Sequence, residues 1–369
     1  MITGTASSST PKNLEIEGIR AIAIVLVVLY HAGVPWCSGG FIGVDVFFVV
    51  SGFLITGQLN RELLRRGRID LANFWARRAR RLVPMSVVGI LATVAVGALI
   101  LPPVQKAQLL SAGTAALAFA SNMYFIGASQ DYFAAMNDQN PLLHTWSLGV
   151  EAQFYLVWPF VLIFSPSRLR LATVCVLAAL SFLCSALLTP AQPTPAYYGL
   201  ATRLWELAAG GILALAGEAI PSCAFLGWIG VAAIAIAAVA FSEHTAYPGY
   251  LAALPVLGAA ALVSVARRDG FGWLGLRPVA YVGTLSYAWY LWHWPCIVYA
   301  DRLLPGALGT IIAVALSFVL AVLTHHFVEA PARAWATRAL KPWQTLTAGA
   351  VATAAAVAVV AALPKGVRG

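Results

Sequence analysis

Long apolar runs separated by short polar connections occupy almost the whole chain. A helix that crosses a bilayer needs about 20 predominantly apolar residues, and about eleven runs approach that length. The pattern predicts an all-α integral membrane protein, a polytopic bundle of about ten core transmembrane helices plus an eleventh C-terminal helix. The predicted spans cover 18–34, 41–59, 82–102, 148–165, 168–188, 200–216, 224–241, 248–265, 281–300, 306–328 and 343–363.

The segment 108–126 is also apolar, but five small or polar residues interrupt it. We predict an interfacial or re-entrant helix there, because one more crossing would invert the topology of everything that follows. The interrupting residues are Ser111, Gly113, Thr114, Ser121 and Asn122.

Basic residues are distributed unevenly between the connections. If the N-terminus lies in the cytoplasm, the arginines and the lysine of 60–81, 168–170, 267–277 and 333–341 all fall on the cytoplasmic side. Basic residues concentrate in this way in short cytoplasmic loops. We therefore expect a multi-pass protein of the cell inner (plasma) membrane, with a cytoplasmic N-terminus and an extracytoplasmic C-terminus.

Composition agrees with the membrane assignment. Hydrophobic residues make up 60% of the chain, charged residues 10%, and the mean hydropathy is +0.82, whereas globular domains carry about 25% charged residues. The net charge of +9 comes from loop arginines, so it indicates topology and not nucleic-acid binding. The cysteines show no CxxC or CxxH spacing, and we expect neither a metal site nor a disulfide framework. They are Cys37, Cys175, Cys184, Cys223 and Cys296.

Two predicted spans contain ionisable residues that a membrane helix does not need. Arg20 and His31 stand eleven residues apart in the first span, which places them on one helix face about 16 Å apart. Asp45 interrupts the second apolar run. Charges at this depth mark functional sites by default; the alternative is a buried ion pair that only holds helices together.

Other spans repeat polar residues at helical spacing. Ser147, Glu151 and Tyr155 recur every four residues and share one face of the fourth span. Arg203 and Glu206, three apart on the sixth span, are predicted to form a structural ion pair.

Tyr287, Tyr290 and His293 line one face of the ninth span ahead of Pro295. Tyrosines at span ends are also typical of interfacial anchors.

Several sequence blocks carry a family resemblance. The chain resembles the membrane-bound acyltransferase-3 family, bacterial integral membrane proteins that O-acylate surface carbohydrates. Ala152 departs from the second acidic residue usual beside Glu151. The blocks are LEIEGIRA (14–21) with Tyr30 and His31, GFIGVDVFF (40–48) with SGFLI (51–55), FWARRARRLVP (74–84), LHTWSLGVEAQFY (143–155), SYAWYLWHWP (286–295) and EAP (329–331).

The resemblance implies transfer of an acyl group, commonly acetyl, from cytoplasmic acyl-CoA to a hydroxyl of an extracytoplasmic carbohydrate or glycolipid. Acyl-CoA would be a donor substrate, with no permanently bound cofactor. His31 is the expected general base, because histidine suits proton abstraction near neutral pH. Either Asp45 or Glu151 is expected to orient it.

The resemblance also suggests binding residues. The expected acyl-CoA site combines Arg20 with a basic cluster, although a positive-inside flank explains that cluster equally well. The cluster consists of Arg77, Arg78, Arg80 and Arg81. Residues expected to line the site or meet the acceptor are His144, Trp146, Ser147, Tyr155, Tyr287, Tyr290 and His293.

The expected organisation is an acyltransferase-3-like membrane domain over 14–335, a further transmembrane helix over 343–363, and the start of an extracytoplasmic tail or linker over 364–369. Some members of the family continue into an extracytoplasmic SGNH-type domain, and the chain resembles their membrane part. The rival functions are a transporter or flippase of a lipid-linked sugar and an inactive membrane scaffold.

Overall fold

The computed structural model describes residues 13–133, 140–220, 222–268 and 270–364, and these are helical with no β-strand among them. Positions 365–369 of the predicted tail lie outside the described residues. Fifteen α-helices follow one another in the described ranges. They are α1 (Leu14–His31), α2 (Gly43–Arg66), α3 (Leu71–Ile100), α4 (Pro103–Leu117), α5 (Ser121–Gly127), α6 (Trp146–Phe164), α7 (Arg170–Ala191), α8 (Pro193–Tyr198), α9 (Leu200–Ala216), α10 (Ala224–Ala240), α11 (Ala253–Ala266), α12 (Arg277–Leu303), α13 (Ala307–Thr324), α14 (Ala330–Ala339) and α15 (Pro342–Ala362).

Each of the predicted spans coincides with a helix, which supports a polytopic membrane bundle. Within the described ranges, seven helical segments are long and apolar enough to cross a membrane. The helices α10 and α11 are apolar but shorter, with 17 and 14 residues. The helix α1 carries Glu15, Glu17 and Arg20, and α12 carries much of the polar sequence block 286–295. The site residues themselves therefore lower the apolar character of α1 and α12.

The segment 108–126 forms two helices, α4 and α5, instead of the single predicted one. They have 15 and 7 residues, and neither reaches the length of a membrane crossing. The chain turns between them at Phe119, whose φ is 53°. The left-handed backbone at this residue interrupts the helix and explains why the apolar run does not continue as one element.

The helix α3 begins eleven residues before the predicted span at 82. Asp70 caps it, since its side chain accepts hydrogen bonds from the Asn73 backbone N–H at 3.0 Å and the Asn73 side chain at 2.7 Å. These hydrogen bonds hold the pKa of the Asp70 carboxyl below its usual range. Arg77, Arg78, Arg80 and Arg81 consequently lie on a helix rather than in a loop, so they point in different directions.

Glycines allow two helix pairs of the core to approach closely. The helix α1 packs along α12, and α2 packs along α9. A Cβ atom at Gly283 of α12 would lie 1.8 Å from the carbonyl oxygen of Glu17, and one at Gly52 of α2 would lie 1.8 Å from that of Leu207. Small residues commonly mediate backbone contact between membrane helices. The contact between α1 and α12 brings the side chains of these two helices together further along their length.

Candidate active site

A histidine pair forms where the end of α1 meets α12. His31 is the last residue of α1 and is buried. Its Nδ1 atom lies 3.0 Å from Nε2 of His293 on α12, and its Nε2 atom lies 3.2 Å from the hydroxyl of Tyr132. The indole ring of Trp294 packs against it, with 4.5 Å between ring centroids. Two residues separated by 262 positions in the sequence are thus hydrogen-bonded partners.

A third histidine, His144, extends this pair. It lies just before α6 and is 1% exposed. Its ring centroid is 5.5 Å from that of His293 and 5.4 Å from that of Tyr290. Neither of its ring nitrogens is hydrogen-bonded to another side chain among the described residues, and the backbone of Leu291 lies close to the ring. A buried polar group without a partner is costly, so the His144 ring is available to bind a group that enters the site. We call His31, His144 and His293 the histidine cluster.

A partly open cavity of about 70 Å³ lies next to the histidine cluster. Ser147 and Tyr290 line this cavity, and both also lie beside His144 of the histidine cluster. The Tyr290 hydroxyl donates to the carbonyl of His144 at 2.8 Å, and it lies 2.7 Å from the Ser147 hydroxyl. Tyr290 therefore both lines the cavity and contacts the rings of His144 and His293.

Two arginines supply positive charge to the cavity. Arg20 of α1 and Arg81 of α3 both line it. Arg20 donates to the Ser286 hydroxyl at 2.7 Å and pairs with Glu17 at 3.2 Å. Arg81 lies within electrostatic range of Glu151. Because guanidinium groups match the geometry of phosphate oxygens, this part of the cavity is suited to an anionic ligand.

Glu151 lies on the cavity wall and not beside His31. Its carboxylate accepts hydrogen bonds from the hydroxyls of Ser51 and Tyr155. Tyr287 also lines the cavity, and its hydroxyl donates to the carbonyl of Leu82 at 3.0 Å. The predicted residues Glu151, Tyr155 and Tyr287 are thus brought together around one space.

Asp45 lies in a separate buried cluster with Arg203 and Glu206. Nη1 of Arg203 is 3.1 Å from Asp45 and 2.9 Å from Glu206, and all three side chains are at most 1% exposed. The predicted pair of Arg203 and Glu206 is therefore joined by a third partner. The Arg203 guanidinium also lies 5.4 Å from the ring of Trp146, which places that tryptophan beside the ion pair.

Neither carboxylate expected to orient His31 contacts it in the described part of the chain. The side chains that lie within hydrogen-bonding distance of His31 are those of His293 and Tyr132, and the backbone of Val27 is close to the ring as well. Asp45 is held by Arg203, since pairing compensates both buried charges. The geometry therefore corrects the expectation of a carboxylate beside the base: another imidazole occupies that position.

The basic cluster of α3 divides into side chains with different surroundings. Arg81 lines the cavity, and Arg78 lies with its guanidinium 6.0 Å from the ring of Tyr155. Arg80 instead donates to the hydroxyl of Thr345 on α15 at 3.0 Å. Arg77 is partly exposed and lies 3.8 Å from Glu62. The four arginines therefore do not form a single binding surface.

Tyr132 is a site residue that the sequence alone did not indicate. It belongs to no sequence block and sits in a connection, so no helical spacing relates it to His31. Ser51 and Ser286 were within the recognised blocks, but nothing in their spacing distinguished them. Glu329 accepts from His325 at 2.9 Å, and both lie in a π-helical turn after α13. Such turns often occur at functional sites.

No group of three or more histidine, cysteine or acidic side chains that could hold a metal ion occurs among the residues that the structure describes. The cysteines in these ranges are free thiols. The side chains that line the site carry imidazole, hydroxyl, carboxylate and guanidinium groups.

The helical bundle and its enclosed polar site define a multi-pass membrane protein with a histidine cluster beside an arginine-lined cavity. Residues 13–326 match the family model described as an acyltransferase domain, Acyl_transf_3. The chain belongs to the acyltransferase-3 family, which confirms the resemblance found in its sequence blocks.

Curated relatives support the same assignment. The chain is 33% identical over 344 residues to peptidoglycan O-acetyltransferase OatA of Listeria monocytogenes, covering 86% of this chain and 55% of that protein. It is 33% identical to the putative peptidoglycan O-acetyltransferase YrhL of Bacillus subtilis, with 89% and 58% covered. It is 31% identical to O-acetyltransferase OatA of Staphylococcus aureus, with 86% and 57% covered. The chain thus spans a little over half the length of these relatives. No solved structure gives a significant match.

Proposed function

We propose that the protein is an O-acyltransferase that moves an acyl group, in the first place acetyl, from acyl-CoA to a hydroxyl of an extracytoplasmic carbohydrate or glycolipid. The observation that carries this proposal is that His31 is bonded to His293, in a histidine cluster whose neighbour Tyr290 lines a cavity with Arg20 and Arg81. The relatives are named O-acetyltransferases, two of them for peptidoglycan, which favours acetyl and an envelope glycan.

The cavity side of the site is assigned to the donor. The phosphates of acyl-CoA are anions that Arg20 and Arg81 can bind through paired hydrogen bonds. The cytoplasmic orientation proposed for this end rests on the basic residues of α3, which follow the positive-inside pattern. A pantetheine arm is long and slender, and it would carry the thioester from the arginines towards Ser147 and Tyr290.

His31 is assigned as the general base. Its Nε2 atom lies opposite the Tyr132 hydroxyl, and an acceptor hydroxyl that takes the place of Tyr132 would meet the same ring nitrogen. The hydroxyl oxygen attacks the thioester carbonyl carbon while its proton passes to His31. The C–S bond then breaks, and the proton passes from His31 to the sulfur of the leaving CoA. The products are the ester and CoA thiol, so protons and charges balance.

His144 is assigned to stabilising the thioester oxygen during the reaction. Its ring nitrogens lack side-chain partners in the described ranges, and an imidazole N–H can donate to the oxygen on which negative charge develops during attack on a thioester. Ser147, Tyr290 and Tyr287 shape the path between donor and acceptor. Glu151 with Tyr155 balances the positive charge of the cavity.

The proposed setting is the cell inner (plasma) membrane, with the N-terminus in the cytoplasm and the acceptor on the outer side. On this proposal the donor and acceptor approach the histidine cluster from opposite faces of the membrane. Transfer across the membrane follows from this arrangement without movement of either whole substrate.

The test is acyl transfer by purified full-length protein in detergent, with acetyl-CoA labelled in the acetyl group and soluble peptidoglycan fragments as acceptors. We expect label in the glycan with wild-type protein, and a loss of about 10²-fold or more with His31→Ala. The matched control is His326→Ala, an exposed histidine paired with Tyr281, which should retain wild-type activity.

Detergent removes the two compartments, so a pure flippase gives no signal in this assay. Full activity of a folded His31→Ala protein would contradict the base assignment. No transfer by the wild-type protein to any glycan, together with movement of a lipid-linked sugar in sealed vesicles, would support the transporter instead.

A further inference from the structure

The two hydrogen-bonded histidines carry an inference about how the base is prepared, and it rests on the proposed function. We propose that His293 is a positioning residue: it accepts a hydrogen bond from Nδ1–H of His31 and so holds His31 in the tautomer whose Nε2 lone pair faces the acceptor hydroxyl. His293 would thereby fill, as a neutral imidazole, the place that a carboxylate usually takes beside a catalytic histidine.

The proton positions of both histidines can be assigned by starting from Nδ1 of His293. Nδ1 of His293 lies 2.8 Å from the carbonyl oxygen of Tyr290 and 3.2 Å from that of Trp289. A carbonyl oxygen only accepts hydrogen bonds, so this nitrogen carries the proton. In a neutral imidazole the other nitrogen is then an acceptor, and Nε2 of His293 faces His31 as an acceptor.

The same reasoning assigns the tautomer of His31. Its Nδ1 atom, 3.0 Å from the acceptor nitrogen of His293, must donate and therefore carries the proton. Its Nε2 atom is left with a lone pair, which accepts from the hydroxyl of Tyr132 at 3.2 Å. The order of donation is Tyr132 to His31, His31 to His293, and His293 to the α12 backbone. The base atom points away from His293 and towards the place of the hydroxyl.

A neutral His293 is the state that this environment favours. The ring is fully buried, and the titratable groups that face His31 are His293, His144, Tyr132 and Tyr30. No carboxylate lies within hydrogen-bonding distance of the pair in the part of the chain that the structure describes. A buried imidazolium without a counter-charge is costly, and the reverse tautomer of His31 would require that cation.

The helix α12 supports this role mechanically. His293 is anchored to carbonyls three and four residues earlier on its own helix, so its orientation is set by α12 and not by a flexible loop. The close backbone approach of α1 and α12 at Gly283 fixes the separation of the two helices. His293 therefore holds His31 in a fixed orientation from a rigid helix, as a precise catalytic geometry requires.

The test uses the full-length protein with His293 replaced by Phe, by Gln and, for the pH profile, by Glu. His293→Phe keeps an aromatic ring without an acceptor, and we expect kcat to fall by roughly 10²–10⁴-fold with KM for acetyl-CoA changed by less than about threefold. His293→Gln offers an amide oxygen to Nδ1–H and should recover at least about tenfold of that loss. His326→Phe serves as the control and should behave as wild type.

The pH profile distinguishes positioning from packing. In His293→Glu a carboxylate would face His31 and stabilise its protonated form, so the acidic limb of kcat/KM should move to higher pH by about one unit or more. A residue that only fills space gives no such shift. Wild-type kcat and pH profile in His293→Phe, with His31→Ala inactive, would overturn the inference and leave the base assignment intact. An active His31→Ala protein would instead overturn the proposed function.

A measurement without turnover covers the case in which the variants fail to fold. In wild-type protein labelled with ¹⁵N-histidine, the spectrum should show both His31 and His293 as neutral rings protonated at Nδ1. His31→Ala and His293→Gln assign the two signals. A His31 signal of the tautomer protonated at Nε2 would overturn the inference regardless of activity.

Discussion

Two buried polar clusters in the same bundle use their charges differently. In the first, Arg203 is surrounded by Asp45, Glu206 and the carbonyl of Tyr197, which accepts from its Nε at 3.0 Å. In the second, His144 has no side-chain partner for either ring nitrogen among the described residues, and the adjacent cavity is lined by charged side chains. In the first cluster the charges are paired with one another, although one carboxylate oxygen of Glu206 has no hydrogen-bond partner within the described ranges. The second leaves hydrogen-bonding capacity free for a ligand.

The difference shows that a charge inside a membrane helix is not sufficient to identify a functional site. Asp45 and His31 stand in neighbouring sequence blocks and both interrupt apolar runs, so sequence rules treat them alike. What separates them is their surroundings: His31 is bonded to His293, whose neighbour Tyr290 lines the cavity, whereas Asp45 is paired with Arg203. Each cluster can be tested against the other by removing one charge at a time.

The largest expected effect is on stability, from Arg203→Ala. Removal of this arginine leaves the carboxylates of Asp45 and Glu206 buried without a counter-charge, which costs about 3–5 kcal/mol. We expect little folded protein, measured by thermal unfolding in detergent and by size-exclusion chromatography. Arg20→Ala is the matched control: Arg20 faces a cavity that can take up water, so this variant should fold.

A stable Arg203→Ala protein that has lost activity would contradict this distinction. It would place the Asp45 cluster in the reaction and return Asp45 to the role of a catalytic carboxylate.

The next largest effects are expected for two adjacent arginines of α3, Arg80 and Arg81. Their substitution distinguishes a loss of CoA affinity from a loss of protein stability. Arg81 lines the cavity, so Arg81→Ala should weaken CoA binding by about tenfold, the loss of a charge-assisted hydrogen bond. Arg80 donates to Thr345 and to the carbonyl of Leu340. Arg80→Ala should therefore bind CoA normally but unfold at lower temperature, with about 1–2 kcal/mol less stability. Calorimetric titration with CoA and thermal unfolding measure the two effects.

Equal weakening of CoA binding by both substitutions would mean that the α3 arginines act as one basic surface, contrary to the separation seen here.

The smallest effect is expected for Arg77→Ala. Arg77 is partly exposed and its pairing with Glu62 spans 3.8 Å, an arrangement worth about 0–1 kcal/mol. Neither thermal stability nor CoA affinity should change measurably. A clear loss of CoA affinity would extend the donor site towards the N-terminal end of α3.

Much of the fold was predictable because a membrane restricts the options. Apolar runs of span length must become helices, and each predicted span corresponds to one. Helix ends were less predictable: α3 starts early because Asp70 caps it through a hydrogen bond to Asn73. The break at Phe119 depends on a local backbone conformation that no apolar pattern specifies.

The site was predictable in its residue types but not in its pairings. Spacing on one helix placed Arg20 with His31, and the same rule placed Arg203 near Glu206. Contacts between helices have no such rule, which is why a carboxylate was expected beside His31 where the structure has His293. The arginines of α3 looked equivalent in sequence, and only their packing separates their roles: Arg81 lines the cavity, whereas Arg80 is bonded to α15.

The central claim is that one part of the site binds the donor and another performs the chemistry, and CoA titration of three proteins in detergent tests it most directly. Arg20→Ala should bind CoA at least about tenfold more weakly than wild type, since it loses charge-assisted hydrogen bonds worth about 1.5–3 kcal/mol. His31→Ala should bind CoA within about twofold of wild type while transferring no acyl group. Wild-type CoA affinity in a folded Arg20→Ala protein would contradict the account.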